Sequence, residues 1–315
     1  MDNTFYCSPN TLNMIIGSAT STSIHVEDFR QVPLPEGAMI NGIITNVEAM
    51  CEFLDTIAKE YHLQNGATGS NPLLSNKSRV IVQASNIVTK IMEVPAVDEA
   101  QVKEFIAQEF TQYEDNPSER ANLLFDYTVL NQIGPQGGVE ILAANAGRDL
   151  VEDYVRAFSQ ATYNVEQVGI GVEALIKLVA LIPTLTGKTY LLVQVEPSRQ
   201  TITMFLDGTF RIFNGYRLTG EEGSDAWVAG VGQNLASMLQ FSRAQRGQSE
   251  LSQVYFAGLT PENLAKLKED FGYLNVEMDH FDLSQVVTVA PSITEDRMFN
   301  PGGFLFNLGA LCKRV

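Results

Sequence analysis

The segment Thr186–Thr189 (TGKT) is the first place where the side chains and spacing of this chain could bind a phosphate. A phosphate-binding P-loop needs a second glycine five positions before Gly187, where this chain has Ile182. It also needs a helix directly after the motif, whereas the residues from Tyr190 onward predict a strand. We therefore assign no P-loop to this segment.

A second glycine pattern, G-x-G-x-x-A, lies at Gly169–Ala174 after a short predicted strand. A dinucleotide site of this type also uses an acidic residue that ends a second strand about 20 residues further on. This chain has an apolar run beginning at Tyr190 in that region. The pattern therefore favours glycine as the entry to a helix.

Metal and nucleophile patterns are absent from the sequence. The three histidines, His25, His62 and His280, have no second histidine, cysteine or aspartate at ligand spacing in their own elements. No serine lies in a G-x-S-x-G elbow, and Cys51 falls in the middle of a predicted helix. None of these patterns specifies an enzyme, so we predict no catalytic residue and no metal.

The composition restricts the partners. The chain has 21 basic and 37 acidic side chains and a net charge of −16, which repels nucleic acid and anionic membranes. A protein partner with basic residues is expected instead. The sequence has no long uncharged apolar run, no signal-peptide pattern and three widely separated cysteines, which predicts a cytoplasmic protein without membrane insertion and with reduced thiols.

A three-stranded meander is predicted where the second half begins. The strands Tyr190–Glu196, Thr201–Leu206 and Thr209–Phe213 are separated by the turn Pro197–Gln200 and by Asp207-Gly208, a strong hairpin signal. The same plan appears near the start of the chain, with a small-residue turn and then an acidic turn. Its predicted segments are the strand Thr11–Ile16, the turn Gly17–Ser21, the strand Thr22–Val26, the turn Glu27-Asp28 and the strand Phe29–Leu34.

Each predicted meander is followed by a long amphipathic helix, which indicates an approximate structural repeat. Strands and helices alternate along the rest of the chain, as is typical of an α/β protein. We predict helix N-caps at Asn46, Asp98, Ser224 and Thr260, and a late strand over Leu274–Glu277.

Several short phrases, spread over nearly the whole chain, resemble the type IV pilus assembly protein PilM family, which belongs to the actin-like ATPase superfamily and is related to the cell-division protein FtsA. The phrases are Met14–Ser18 (MIIGS), Leu34–Gly37 (LPEG), Asn41–Ile44 (NGII), Lys90–Pro95 (KIMEVP), Ala107–Phe110 (AQEF), Phe125–Leu130 (FDYTVL), Val139–Ala144 (VEILAA) and Asn307–Leu311 (NLGAL).

The resemblance implies a two-lobed actin-like α/β fold, that is, a duplicated ribonuclease H-like fold. The first lobe would comprise residues 1–185, with an inserted α/β subdomain at about 79–161. The second lobe would comprise residues 186–315.

The resemblance also places a nucleotide cleft, and this chain departs from its signatures. The family has an aspartate in each of two phosphate hairpins. Here the first falls at Ile15, which leaves Gly17 and Ser18, and the second falls at Gln194, with Glu196 where a glycine belongs.

The remaining candidate nucleotide-binding residues are Ser198, in the second hairpin, and Gly258, where the family has its adenosine-side glycines. Without the two aspartates, the site lacks the oxygen ligands that orient magnesium. We therefore expect a pseudo-ATPase that has no cofactor, and ATP binding at a degenerate site is the alternative.

For partners, the resemblance implies a scaffold of the pilus machine at the inner face of the cell membrane. It would grip the N-terminal cytoplasmic tail of a single-pass inner-membrane protein, in a groove between the first lobe and the Arg79–Ala161 insertion. Two rival functions stay open: an active ATPase of the same fold that uses Asp28 or Asp207 for metal, and a small-molecule kinase of the superfamily.

Overall fold

A computed structural model of the chain describes residues 1–66, 69–95, 97–112, 116–133, 137–244, 251–293 and 298–313. The strands are β1 (Asp2–Cys7), β2 (Thr11–Ala19), β3 (Ile24–Pro33), β4 (Met39–Ile40), β5 (Ile43–Ile44), β6 (Lys77–Val82), β7 (Val88–Val94), β8 (Leu123–Ile133), β9 (Gly138–Gly147), β10 (Asn164–Ile170), β11 (Tyr190–Glu196), β12 (Arg199–Leu206), β13 (Thr209–Arg217), β14 (Gln253–Ala257), β15 (Glu277–His280) and β16 (Val287–Val289).

The helices are α1 (Val47–Gln64), α2 (Pro72–Ser75), α3 (Glu99–Thr111), α4 (Pro117–Ala121), α5 (Arg148–Gln160), α6 (Gly171–Ala180), α7 (Asp225–Ala244), α8 (Pro261–Phe271) and α9 (Leu305–Leu311). Short 3-10 helices occur at Pro183–Leu185, Gly272–Leu274 and Pro301–Phe304. No helix of the described residues is both long and apolar enough to cross a membrane.

Two sheets share one strand plan, which confirms the predicted duplicated fold. The six-stranded sheet has the order β10-β6-β1-β2-β3-β16, and the five-stranded sheet has the order β13-β12-β11-β14-β15. In each sheet the first strand of a meander, β1 or β11, pairs with a later parallel strand, β6 or β14, and that strand pairs with a further parallel strand, β10 or β15. The strand β16 extends the first sheet by pairing with Ile24–Val26 of β3.

The first meander differs from the prediction in its strand boundaries. It begins with β1, which was not predicted, and β3 runs without a break through Glu27 and Asp28, so the predicted acidic turn is wrong. Both carboxylates occupy half-buried positions from which they reach solvent within the strand. The tight turn lies at Thr20–Ser23 rather than at Gly17–Ser21, because the Thr20 hydroxyl accepts the N–H groups of Thr22 and Ser23.

The second meander is confirmed, with a shorter first turn at Pro197-Ser198. Asp207 and Gly208 adopt φ values of 50° and 77°, the left-handed conformations of a type I′ hairpin turn. The predicted strand Leu274–Glu277 is wrong: Leu274 ends a 3-10 helix, Asn275 is left-handed with φ 56°, and β15 begins only at Glu277.

The four predicted N-caps are confirmed by hydrogen bonds from the first turns of the helices. The side chains of Asn46, Asp98, Ser224 and Thr260 each accept the N–H group three residues further on. Each cap satisfies one backbone donor that has no partner inside the helix.

The described residues divide into two compact units. The first comprises Met1–Gly17 and Phe29–Glu173, and the second comprises Ser18–Asp28 and Ala174–Lys313. In the first unit, α1 and α5 pack on the six-stranded sheet around Phe5. The centroid of the Phe5 ring lies 5.1 Å from that of Phe158 and 5.2 Å from that of Tyr163, both in edge-to-face geometry.

A separate three-stranded sheet, β7-β9-β8, lies within the predicted insertion. One of its faces is covered by α3 and has its own small core, in which Ile106 is fully buried. The neighbouring strand β6 pairs with β1 and β10 in the six-stranded sheet, and α5 packs in the main core. The part that forms a distinct layer is therefore shorter than 79–161.

In the second unit, α7 and α8 cover one face of the five-stranded sheet. Their core includes Trp227 and Leu235 of α7 together with Leu191 and Val193 of β11. Alternation along the strand directs Tyr190 and Gln194 to the opposite face. On that face, the ring of Phe213 lies 6.4 Å from that of Phe306 on α9.

Candidate functional site

The residues of the first predicted phosphate hairpin lie in a strand and not in its turn. Gly17 is buried in β2 and opposes Asp2 in the β1-β2 ladder. Ser18 follows with an exposed side chain. Gly17 is therefore a position of strand pairing, and Ser18 has an exposed hydroxyl group.

Hydrogen bonds within the second unit hold the second predicted hairpin in place. The Pro197 carbonyl accepts the indole N–H of Trp227 at 2.7 Å, and the Ser198 carbonyl accepts the N–H of Leu218 at 2.9 Å. Further along β12, the Gln200 amide donates to the carbonyl of Val231 in α7. These bonds hold the Pro197-Ser198 turn in one position.

Gln194 occupies the position where the family has its second aspartate. Its side chain is 3% exposed, and neither its amide nitrogen nor its amide oxygen has a hydrogen-bond partner among the described residues. In the sheet it lies between Thr201 of β12 and Ala257 of β14. A neutral buried amide cannot supply the negative charge that a carboxylate gives to a magnesium ion.

Gly258 follows β14 directly, so the structure brings it close to Gln194 and Val195. Its φ is +88°, and a Cβ atom there would overlap the Val195 carbonyl oxygen. The 3-10 helix Pro301–Phe304 packs on the same turn, because a Cβ atom on Gly302 would lie 2.8 Å from the nitrogen of Gly258. Close packing of backbone on backbone thus explains this glycine without a ligand.

A cavity of about 570 Å³ opens beside Gly258, at the carboxyl ends of β14 and β15. Ligands of α/β sheets commonly bind at such strand ends. The lining is mainly apolar and aromatic, with polar groups from His280, Asp282, Ser284 and Asn300. The pKa of Asp282 is lowered because its carboxylate accepts hydrogen bonds from the backbone and side chain of Ser284.

Neither aspartate of the rival ATPase hypothesis takes part in the Pro197-Ser198 turn. Asp207 lies at the other end of β12, about 27 Å from the Pro197-Ser198 turn, since β12 has eight residues at strand spacing. Its backbone N–H donates a hydrogen bond to the Thr189 hydroxyl, which in turn donates to the Asp207 carboxylate. Asp28 lies inside β3. In the described part of the chain, no three side chains of His, Cys, Asp or Glu come together as a metal site.

A groove in the first unit lies between the second face of the three-stranded sheet and β10. Its cavity measures about 80 Å³. Thr128, Leu142 and Ala144 contribute from β8 and β9, and Gln167–Ile170 contributes from β10. Both β8 and β10 are terminal strands of their sheets, so two strand edges meet this groove.

The rim of this groove is acidic. Asp126 and Glu173 line the cavity itself. Further along the same sheet face, Glu93 of β7 lies directly opposite Glu140 of β9. Like charges that oppose each other across strands repel, and a basic ligand relieves that repulsion.

The strand order of the two sheets and their meanders define an actin-like fold. A sequence profile of the type IV pilus assembly protein PilM family matches residues 7–216, which is two thirds of the chain. The chain therefore belongs to this family, and membership assigns it a role in type IV pilus assembly.

A solved structure with a high TM-score shows the same fold. The chain is similar to the "PilM-PilN type IV pilus biogenesis complex" with a TM-score of 0.76 and 15% identity, over 98% of this chain and 97% of that one. It also matches the cytoplasmic domain of EpsL, an inner membrane component of the type II secretion system of Vibrio cholerae, with a TM-score of 0.48 and 13% identity, over 98% and 94%. No curated protein matches the chain in sequence.

Proposed function

We propose that this chain is an actin-like adaptor of type IV pilus assembly that binds the N-terminal cytoplasmic tail of a single-pass inner-membrane protein. The observation that carries this proposal is the acidic groove between the edges of β8 and β10. Membrane proteins concentrate lysine and arginine on the cytoplasmic side, so their cytoplasmic tails are basic. The solved complex with PilN supports the choice of partner.

The tail binds either as an added strand or as a helix in the groove. Leu142 and Ala144 offer an apolar floor, while Asp126 and Glu173 supply the charge. Bound in this way, the adaptor stays on the inner face of the membrane through its partner and inserts no segment of its own.

Calorimetry with a synthetic tail of the PilN-type protein from the same organism tests this function. The tail should bind with micromolar affinity, and the double variant Asp126→Lys, Glu173→Lys should weaken binding at least tenfold. The control Glu60→Lys makes one of the same charge changes on an exposed face of α1 in the same unit and should leave binding unchanged. A tail that does not bind, or that binds all variants equally, would contradict the proposal.

The adaptor does not hydrolyse ATP, because Gln194 and Ile15 replace the two aspartates and Asp207 is remote from the Pro197-Ser198 turn. Nucleotide binding beside Gly258 is weak and independent of magnesium, or does not occur. Turnover and calorimetry with ATP, with and without magnesium, measure both points. If the natural protein hydrolyses ATP and Asp28→Ala or Asp207→Ala abolishes this activity, the protein is an active ATPase instead.

A further inference from the structure

The outer edge of the second unit's sheet carries two arginines in register. Arg199 of β12 lies directly opposite Arg217 of β13, so both side chains project from the same face. The Arg199 guanidinium lies over Gly215, its Nη2 atom 3.0 Å from where a Cβ atom of that glycine would be. The missing side chain at Gly215 thus makes room for the neighbouring cation.

These two arginines lack the acidic partners that others have. Arg79 forms an ion pair with Asp2 at 2.7 Å and Arg156 forms one with Asp153 at 2.7 Å, whereas no ion pair among the described residues includes Arg199 or Arg217. The chain has a net charge of −16, so acidic side chains outnumber the basic ones. Glu196 of β11 lies opposite Arg199 on its other side and offsets part of this positive charge. An anionic ligand would relieve the repulsion that remains between the two opposed arginines.

The strand that carries Arg217 is also open to pairing. In the five-stranded sheet β13 is a terminal strand, and among the described residues no further strand joins it. Asn214 and Gly215 are exposed, so the second half of β13 is accessible to another chain. An edge of this kind presents unpaired backbone donors and acceptors.

From these observations we infer that the edge of β13 binds an extended acidic segment of a partner protein by strand addition. Side chains two apart in the added strand share one face. One carboxylate then lies opposite Arg217, and a second lies opposite Gly215 and reaches the guanidinium of Arg199. The recognised segment therefore carries two acidic residues separated by one residue, within an otherwise strand-forming sequence.

An anionic membrane fits this edge less well, because two arginines do not offset the repulsion from a net charge of −16. A free phosphate could bind both guanidinium groups but would leave the backbone edge unused. The test therefore has to separate strand addition from simple anion binding.

Fluorescence anisotropy at low salt with two labelled peptides of equal composition provides this test. The peptide Thr-Val-Glu-Val-Glu-Val-Thr places both carboxylates on one face, and Thr-Val-Glu-Val-Val-Glu-Thr places them on opposite faces. The first should bind at least tenfold more tightly to the full chain. On binding, amide hydrogen exchange should slow within residues 209–217. Equal affinities, or binding without this protection, would overturn the inference.

Charge reversal identifies the residues. Arg217→Glu and Arg199→Glu should each weaken the first peptide at least tenfold, whereas Arg156→Glu, the same change in the first unit, should not. Arg217→Glu should also gain affinity for Thr-Val-Lys-Val-Lys-Val-Thr, which a merely misfolded variant would not. Loss of affinity in Arg156→Glu as well, or inorganic phosphate that binds as tightly as the peptide, would show a general charge effect and refute strand addition.

Discussion

Gly309 illustrates how single backbone contacts determine residue choice in this chain. It lies in α9, where a Cβ atom would overlap the carbonyl oxygen of Ala174 in α6 and lie 3.1 Å from its Cα atom. The obstructing atoms are backbone, which cannot rotate away as a side chain can. Glycine is therefore required for α9 to approach α6 this closely.

The variant Gly309→Ala should lower the free energy of unfolding by about 2 kcal/mol, because the added methyl group overpacks the contact between α6 and α9. The control is Gly303→Ala, where a Cβ atom meets nothing within 4 Å. It should change stability by about 0.5 kcal/mol or less. Urea unfolding measures both, and equal effects of the two substitutions would show that the contact yields without cost.

At the scale of elements, the sequence pattern of apolar and turn residues predicted the second meander better than the first. The strand β11 is almost wholly buried and apolar, β12 is almost wholly buried, and Asp207-Gly208 marks the hairpin between β12 and β13. The strand β1 contains Asn3 and Thr4, both fully buried, so its sequence lacks an apolar signal. The Asn3 amide donates to the carbonyls of Pro72 and Leu73, contacts that only the folded chain creates.

The inserted sheet is an element with its own core, which can be disturbed without disturbing the main sheet. Ile106→Ala should cost about 3 kcal/mol locally, because Ile106 is fully buried between α3 and β9. Amide exchange should accelerate in β7, β8 and β9 and stay unchanged in β1 and β2. Phe105→Ala removes a side chain that is 43% exposed on the same helix and is the matched control. Acceleration throughout the first unit would mean that the two layers unfold together.

For the whole molecule, the repeat of strand plans could be predicted from sequence, whereas the sheet to which each strand belongs could not. The strand β6 follows a surface loop and has an ordinary strand pattern, so only its pairing with β1 and β10 assigns it to the six-stranded sheet. The candidate site shows the same limit. Resemblance placed Gln194 and Gly258 at the proposed cleft, but the register of Arg199 with Arg217 is a property of the folded sheet.

Buried ionisable groups make the stability of the whole molecule sensitive to alkaline pH. Burial raises the pKa of the Cys7 thiol to about 12, and burial also raises the pKa of Tyr154 and of Tyr163. These groups stay protonated in the native state while the unfolded chain releases its protons, at about pH 8.5 for cysteine and about pH 10 for tyrosine. The full stability is therefore present below about pH 8 and declines as the pH rises toward 12.

Comparison of the natural chain with Cys7→Ala isolates the contribution of one of these groups. The thiol alone should cost the natural protein about 2.5 kcal/mol between pH 9 and pH 11, with a limiting slope of about 1.4 kcal/mol per pH unit. The variant should be less stable at pH 7, because it leaves a small cavity beside β2, but its stability should fall less steeply above pH 9. Urea unfolding at pH 7, 9, 10 and 11 gives both curves. If they run parallel, the Cys7 thiol ionises as readily in the folded protein as in the unfolded chain, and burial does not govern its pKa.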